Sequence, residues 1–260
     1  MRVLNNAFDN PLEPEENASM HFAGGIMQYG YQCGMIWGAA LAAGAQAYQL
    51  YGAGSQAETS AVNASQKVVE SFRTCNTHIN CSEITELDKS SSNRDLIVYF
   101  LIKGGSIGCL RRSAQYAPLA LNEIKSAFSE KSMDATSSPV SCAAMLAKKM
   151  GLSDMHTVMV SGFAGGIGLC GGACGALGAA IWIISMNNSK KENGKIDFNN
   201  PKAIEIIERF LESADYEFEC SDIVGRKFEN IEDHATYLRE GGCSKIIEVL
   251  AAESSTGLKT

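Results

Sequence analysis

Nine cysteines in 260 residues are the side chains with chemistry to offer. Cys33, Cys81 and Cys109 lie in the first half; Cys142, Cys174, Cys220 and Cys243 follow the same order in the second; Cys75 and Cys170 stand outside the pattern. A thiolate is the form that attacks an electrophile or ligates a metal. Four thiolates are the usual complement of an iron–sulfur cluster or a structural zinc, whereas two close pairs suit thiol–disulfide exchange. Nine is odd, so the thiols of one chain cannot all pair. A third reading is that cysteine serves as a small apolar residue and merely packs.

The pattern belongs to an internal duplication, and repeats are the first thing to look for in a chain of this kind. Phe22-Ala23-Gly24-Gly25-Ile26 returns letter for letter as Phe163-Ala164-Gly165-Gly166-Ile167. Without a gap, Gly30 then falls on Gly171, Cys33 on Cys174 and Gly34 on Gly175. Further on, Asn80-Cys81-Ser82-Glu83-Ile84 parallels Glu219-Cys220-Ser221-Asp222-Ile223, and Gly104-Gly105 with Cys109 parallels Gly241-Gly242-Cys243. Cys142 has no counterpart, because the corresponding point of the first half is the N-terminus. Cys170 becomes Tyr29, so Cys174 is expected to be the more reactive or better placed of the two. If the helix has begun by residue 170, the two thiols share one helical face. A glycine-rich entry to a helix would put Cys33 and Cys174 at its positive end, which favours thiolate.

Around these residues the periodicity is helical. Ala57–Phe72, Cys142–Met150, Pro201–Ser213 and Ser244–Glu253 carry apolar residues three and four apart. Ser55 and Asn199 or Asn200 are the expected caps, with Pro201 in a first turn. Only Leu96–Ile102 rivals as a strand. The expectation is an all-α protein of two tandem helical repeats, 1–130 and 131–260, forming lobes of a helical bundle related by a pseudo-twofold axis. The Ser-rich piece Ser129–Ser138 links them, and Asn187–Asn200 is a polar tract inside the second. The Gly/Ala segments around Cys33 and Cys174 become central helices.

Composition narrows the function. The formal charge of -7 is shared by both halves, and no basic patch exists to neutralise phosphates, which argues against nucleic acid. The uncharged stretches 17–57 and 157–186 are rich in Gly and Ala and lack basic flanks, so buried helices are expected rather than membrane spans. The first residues lack a signal peptide's apolar run, which points to the cytoplasm and reduced thiols. Gly166-Ile167-Gly168-Leu169-Cys170-Gly171 echoes a dinucleotide fingerprint but lacks its strand and its downstream acid. No Cys-x-x-Cys, Walker or His-Glu-x-x-His pattern occurs.

The second repeat, from about Ser141 to Glu253, resembles the redox-active family named for a C-GCAxxG-C-C arrangement of cysteines. Cys142, Cys174-Gly175-Ala176, Cys220 and Cys243 carry the likeness; the first repeat resembles it through Cys33-Gly34…Gly38, Cys81 and Cys109. Departures are Met35 in the alanine position, the missing first cysteine, and Ala179 at the closing glycine with Gly178 one residue early. The resemblance implies a small helical module with a redox role and no stated substrate. The expected site is therefore Cys174, Cys142, Cys220 and Cys243, as catalytic thiols or as ligands of an iron–sulfur cluster or other metal. Cys33, Cys81, Cys109 and Cys170 are candidates for cofactor binding, the first three as a vestigial half-site. An oxidoreductase with a redox partner or small ligand, as a monomer or a homo-oligomer, is the leading reading. A non-catalytic module that binds a ligand or partner is its rival.

Overall fold

A computed structural model describes residues 1–129, 138–189 and 197–252, and these residues are helical with no strand among them. Each repeat contributes seven α-helices in the same order. The first has α1 (Arg2–Ala7), α2 (Glu13–Ala18), α3 (Gly34–Tyr51), α4 (Ser55–Cys75), α5 (Cys81–Thr85), α6 (Asn93–Ile97) and α7 (Gly105–Ser129). The second has α8 (Cys142–Lys149), α9 (Asp154–Ser161), α10 (Gly175–Ser189), α11 (Pro201–Ser213), α12 (Cys220–Val224), α13 (Ile231–Arg239) and α14 (Ser244–Ala252).

The local chemistry explains most boundaries. Asn200 caps α11, its Oδ1 accepting from the amides of Lys202 (3.0 Å) and Ala203 (3.2 Å), with Pro201 in the first turn. Ser141 and Ser153 cap α8 and α9 in the same way. Ser55, expected as a cap, is instead the first helical residue, after Gly54. Leu96–Ile102, the expected rival strand, is helical: α6 is opened by a Ser92–Asp95 capping box and runs into a π-helical turn over Val98–Ile102. The boundary between residues 130 and 131, and residues 190–196 of the polar tract, lie outside the described residues; α10 extends into that tract as far as Ser189.

The two lobes interlock. The central helix α3 packs on α4 and also on α9 of the other repeat, while α10 packs on α8, on α11 and on α2 of the first. Each lobe therefore completes its core with a helix from its twin. At the centre the two repeated phenylalanines meet: Phe22 and Phe163 lie 5.8 Å apart edge to face, and Trp37 stacks on Phe22 at 4.9 Å and meets Phe163 at 4.7 Å. All three rings are fully buried, and edge-to-face packing matches the ring quadrupoles. The uncharged stretches supply this core. No described helix is long and apolar enough to cross a membrane.

Candidate functional site

The repeated Phe-Ala-Gly-Gly-Ile segment folds into a left-handed turn, not into the helix that its small residues suggested. Residues Gly24, Gly25, Ile26, Met27 and Gln28 all have positive φ, between 49 and 75°, and Gly165 to Leu169 repeat this between 55 and 77°. Consecutive L-residues in that region cost energy, and only glycine enters it freely. The paired glycines start the turn: a Cβ on Gly25 would stand 2.1 Å from the Tyr31 carbonyl oxygen, and one on Gly166 2.4 Å from that of Gly172. Wide backbone bonds close it, Gly30 N to Gly24 O and Gly171 N to Gly165 O, each 2.9 Å. Strained backbone held by its surroundings is a feature of functional sites.

The turn delivers a cysteine to a helix start and clamps a second one beside it. Cys33 caps α3, and Cys174 directly precedes α10. A single antiparallel bridge, Gln32 with Asn80 and Ala173 with Glu219, joins each turn to the next cysteine. The Cys33 amide donates to Ile79 O (2.8 Å) and that of Cys81 to Tyr31 O (2.7 Å); Cys174 donates to Phe218 O (2.9 Å) and Cys220 to Gly172 O (2.7 Å). Ser82 and Ser221 fasten the corner, their hydroxyls donating to Gly30 O (2.8 Å) and Gly171 O (2.9 Å). This corner is why the Cys-Ser dipeptide recurs.

In the second lobe all four pattern cysteines sit at helix starts: Cys142 and Cys220 open α8 and α12, and Cys174 and Cys243 directly precede α10 and α14. Their side chains face a common region. The Cys220 thiol is pushed up by burial first and then by Cys142, Cys174 and Cys243; Cys243 is raised by burial and then by Cys142 and Cys174. Cys174 is raised to about 12, by burial and then by Cys142. Burial also raises Cys142, against the amides of Gly165, Ala143 and Ala176, which favour its thiolate. The expected lowering of the Cys174 and Cys33 thiol pKa at a helix start is therefore reversed: amides do favour the charge, but desolvation exceeds them. Cys33 also rises to about 12.

Tyr237 completes this lobe and Tyr99 its twin, and the sequence reading missed both. The Tyr237 hydroxyl interacts with the Cys243 thiol, and that of Tyr99 with the Cys109 thiol, each cysteine adding to a tyrosine pKa that burial raises first. Each ring lies against the second glycine of the repeated pair: a Cβ on Gly242 would meet Tyr237 Cε1 at 2.3 Å, and one on Gly105 would meet Tyr99 Cε1 at 2.1 Å. A tyrosine four or five residues before each Gly-Gly pair was the available signal.

The first lobe assembles three thiols. Cys33 is influenced by both Cys81 and Cys109, and Cys81 by Cys109. Cys109 lies in the second turn of α7, one turn beyond the position at which Cys243 precedes α14. Cys75 does not join them; its Sγ turns back onto α4 toward Ser71 O (3.6 Å) and Phe72 O (3.4 Å). Cys170 adds a smaller upward push to Cys220 but is placed differently from the four pattern cysteines. It lies in the glycine loop before α10 begins, so it does not share a helical face with Cys174. Its Sγ donates to Gly166 O (2.7 Å) and accepts from Gln32 Nε2 of the other repeat (3.8 Å).

All nine cysteines are free thiols. Among the described residues no group of three or more Cys, His, Asp or Glu side chains is gathered tightly enough to hold a metal ion. The four second-lobe thiols are right in kind and number for a metal but do not form one coordination shell. A model of the family described as "Putative redox-active protein (C_GCAxxG_C_C)" matches residues 1–109 and 139–254, once for each repeat. The chain matches no curated protein and no solved structure.

Proposed function

The chain belongs to the C_GCAxxG_C_C family as a tandem duplication, and from that premise we propose that its second repeat carries out thiol–disulfide redox chemistry through Cys142, Cys174, Cys220 and Cys243. The observation that carries this reading is that four cysteines stand at four helix starts, with Cys174 and Cys220 clamped side by side through the Cys174–Phe218 and Cys220–Gly172 backbone bonds and Cys220 influenced by the other three. Buried thiols that raise one another's pKa resist ionisation, and two of them shed that penalty by passing two electrons and two protons to an oxidised partner and joining in a disulfide. Burial protects such a pair from adventitious oxidation, so its partner is a specific redox protein or small ligand. The Tyr237 hydroxyl, bonded to Cys243, would favour thiolate at the member nearest solvent.

The test is a redox titration of the anaerobic full chain, with the thiols mapped by mass spectrometry at each potential. The expected result is a reversible disulfide within the four-cysteine set. If all four stay reduced across the range in which the glutathione and thioredoxin couples operate, the thiols only pack and the chain is a ligand- or partner-binding module. A second reading, a cysteine-ligated metal or iron–sulfur centre, draws on the number and type of donors. Stoichiometric metal or acid-labile sulfide in anaerobically purified protein would favour it over disulfide chemistry, with Cys33, Cys81, Cys109 and Cys170 as additional cofactor contacts.

A further inference from the structure

The first repeat, with one cysteine fewer, has a cavity into which two of its thiols open. A space of about 310 Å³ is lined by Cys81, Cys109, Thr85, Leu96, Phe100 and Phe198 among others. Cys81 and Cys109 are half-buried there, whereas Cys142, Cys174 and Cys220 are buried. The volume is at the lower end of small-ligand pockets, and a mostly apolar lining with a few polar groups is what such pockets show. The chain leading out of it is strongly apolar and uncovered: Leu101, Ile102, Ile107 and Leu110 are each more than 70% exposed. A monomeric surface seldom leaves so many large apolar side chains together without a use.

A cation also attends these thiols. Arg112, three residues after Cys109, is held by Asn76, its Nε donating to Oδ1 at 2.8 Å. Its charge favours the thiolates of Cys33 and Cys81 against burial, while the principal influences on Cys142, Cys174, Cys220 and Cys243 include no cation.

We propose that the first repeat holds a separate thiol–disulfide exchange site, where Cys109 and Cys81 reduce a disulfide whose apolar substituent occupies the cavity they line. Cys109, beside the Tyr99 hydroxyl, is the attacking thiol. Its Sγ bonds to one sulfur of the substrate, the substrate S–S bond breaks, and the first half leaves as a thiolate that is protonated. Cys81 Sγ then attacks the Cys109 sulfur of the mixed disulfide and expels the second half, leaving a Cys81–Cys109 disulfide. Two electrons pass from the two cysteines to the substrate, and the two thiol protons end on the two products. Cys33, behind them on the same corner, stays reduced. This site stands independently of the second-repeat reading.

The test uses the full chain, reduced and freed of reductant, with Cys75→Ser to remove its exposed thiol. It is mixed with dithiodipyridine, a neutral aromatic disulfide, or with oxidised glutathione, a charged polar one. Released thiol is followed optically and the modified cysteines are mapped. The expected result is a fast phase that discharges both halves of the aromatic probe and leaves Cys81 joined to Cys109, with oxidised glutathione slower by roughly tenfold or more once each rate is divided by that of a free small thiol with the same probe. Cys81→Ser should stop at a mixed disulfide on Cys109 with half the release, and Cys109→Ser should lose the fast phase. A first adduct on any other cysteine in the protein with Cys81 and Cys109 intact would overturn the proposal, and that measurement requires no variant at the site. So would equal rates for the two probes after that division, or full discharge in Cys81→Ser. Adducts at Cys142, Cys174, Cys220 or Cys243 map to separate positions, so failure here and failure of the second-repeat reading are told apart.

Discussion

Trp37 and Gly178 hold the same place in the two repeats, four residues after Cys33 and Cys174, and the indole of one fills the space a side chain on the other would need. A Cβ on Gly178 would lie 2.2 Å from Trp37 Cζ3. Glu15 and His156 are likewise equivalents, each seven residues before its repeated Phe, and they pair with each other, Oε1 to Nε2 at 2.9 Å. Gln32, in the position of Ala173, accepts the Ala173 amide at 2.8 Å. In a homodimer, residues near a twofold axis face copies of themselves. Joining the copies in one chain lets large meet small and acid meet base.

Gly178→Ala is therefore expected to destabilise the chain by about 1–3 kcal/mol, the usual cost of overpacking a filled core. Trp37→Leu alone should cost at least as much by leaving a cavity. Combined, the two should cost less than their sum, by about 1 kcal/mol or more, because the smaller side chain vacates the clash. Urea unfolding of the four proteins measures this coupling, and simple additivity would mean that ring and glycine do not compete for one space.

His234 ties the start of α8 to the body of the lobe. Its Nδ1 lies 3.0 Å from Val140 O, two residues before Cys142, and Phe228 meets its ring at 4.7 Å. Burial lowers its pKa to about 4, against about 6.5 in the unfolded chain. Between those values the unfolded chain binds the extra proton, so this contribution is intact above about pH 6.5 and shrinks as pH falls toward 4. The expected loss is on the order of 3 kcal/mol across the window for so buried a group. Urea midpoints from pH 7 to 4 should show that slope in the wild type and a flatter one in His234→Gln. A parallel slope in both would put the acid sensitivity elsewhere.

How far these features were legible depends on what sets them. The all-α character, the duplication and the helices at Pro201–Ser213 and Ser244–Ala252 follow from apolar period and capping residues, which are local. Cys174, Cys220 and Cys243 stood out because the repeat keeps their order as Cys33, Cys81 and Cys109, whereas Cys142 has no counterpart and entered only through the family resemblance. The left-handed turn was not: its glycines suggested close helix packing, since small residues satisfy both, and the positive φ of Ile26 and Leu169 has no sequence signature. The thiol pKa values went the opposite way to expectation because helix position is local, whereas desolvation depends on everything that packs around the site. Tyr99 and Tyr237 were missed because attention rested on the glycines they cover.

Burial also predicts an order of alkylation for the reduced protein. Cys75 is exposed and should react first with iodoacetamide at mildly alkaline pH. Cys174 and Cys142, buried and with raised pKa values, should react last, slower by about two orders of magnitude or more, because only the thiolate attacks. Cys170, half-buried, should fall between. That order reverses the expectation from the repeat that Cys174 is the more reactive of the two. Rapid alkylation of Cys174 in folded protein would show that the second lobe opens readily.

The last expectation concerns the tyrosine that attends Cys243. The Tyr237 pKa is raised, by burial first and then by Cys243, while its hydroxyl bond favours the Cys243 thiolate. Tyr237→Phe removes the donor but keeps the ring over Gly242, so the fold should hold within about 1 kcal/mol. The Cys243 thiol should then titrate higher and react more slowly at a fixed pH, by about three- to tenfold if the bond is an ordinary charge-assisted one. Gly242→Ala makes the complementary change, since its Cβ would strike the ring at 2.3 Å and displace the hydroxyl that Tyr237→Phe deletes. The two variants should therefore share the slowed Cys243 reaction, while Gly242→Ala alone also loses stability. A pH profile of Cys243 modification in each, beside thermal melts, separates the two effects. An unchanged profile in Tyr237→Phe would remove the tyrosine from the site and leave it as the cover of a glycine turn.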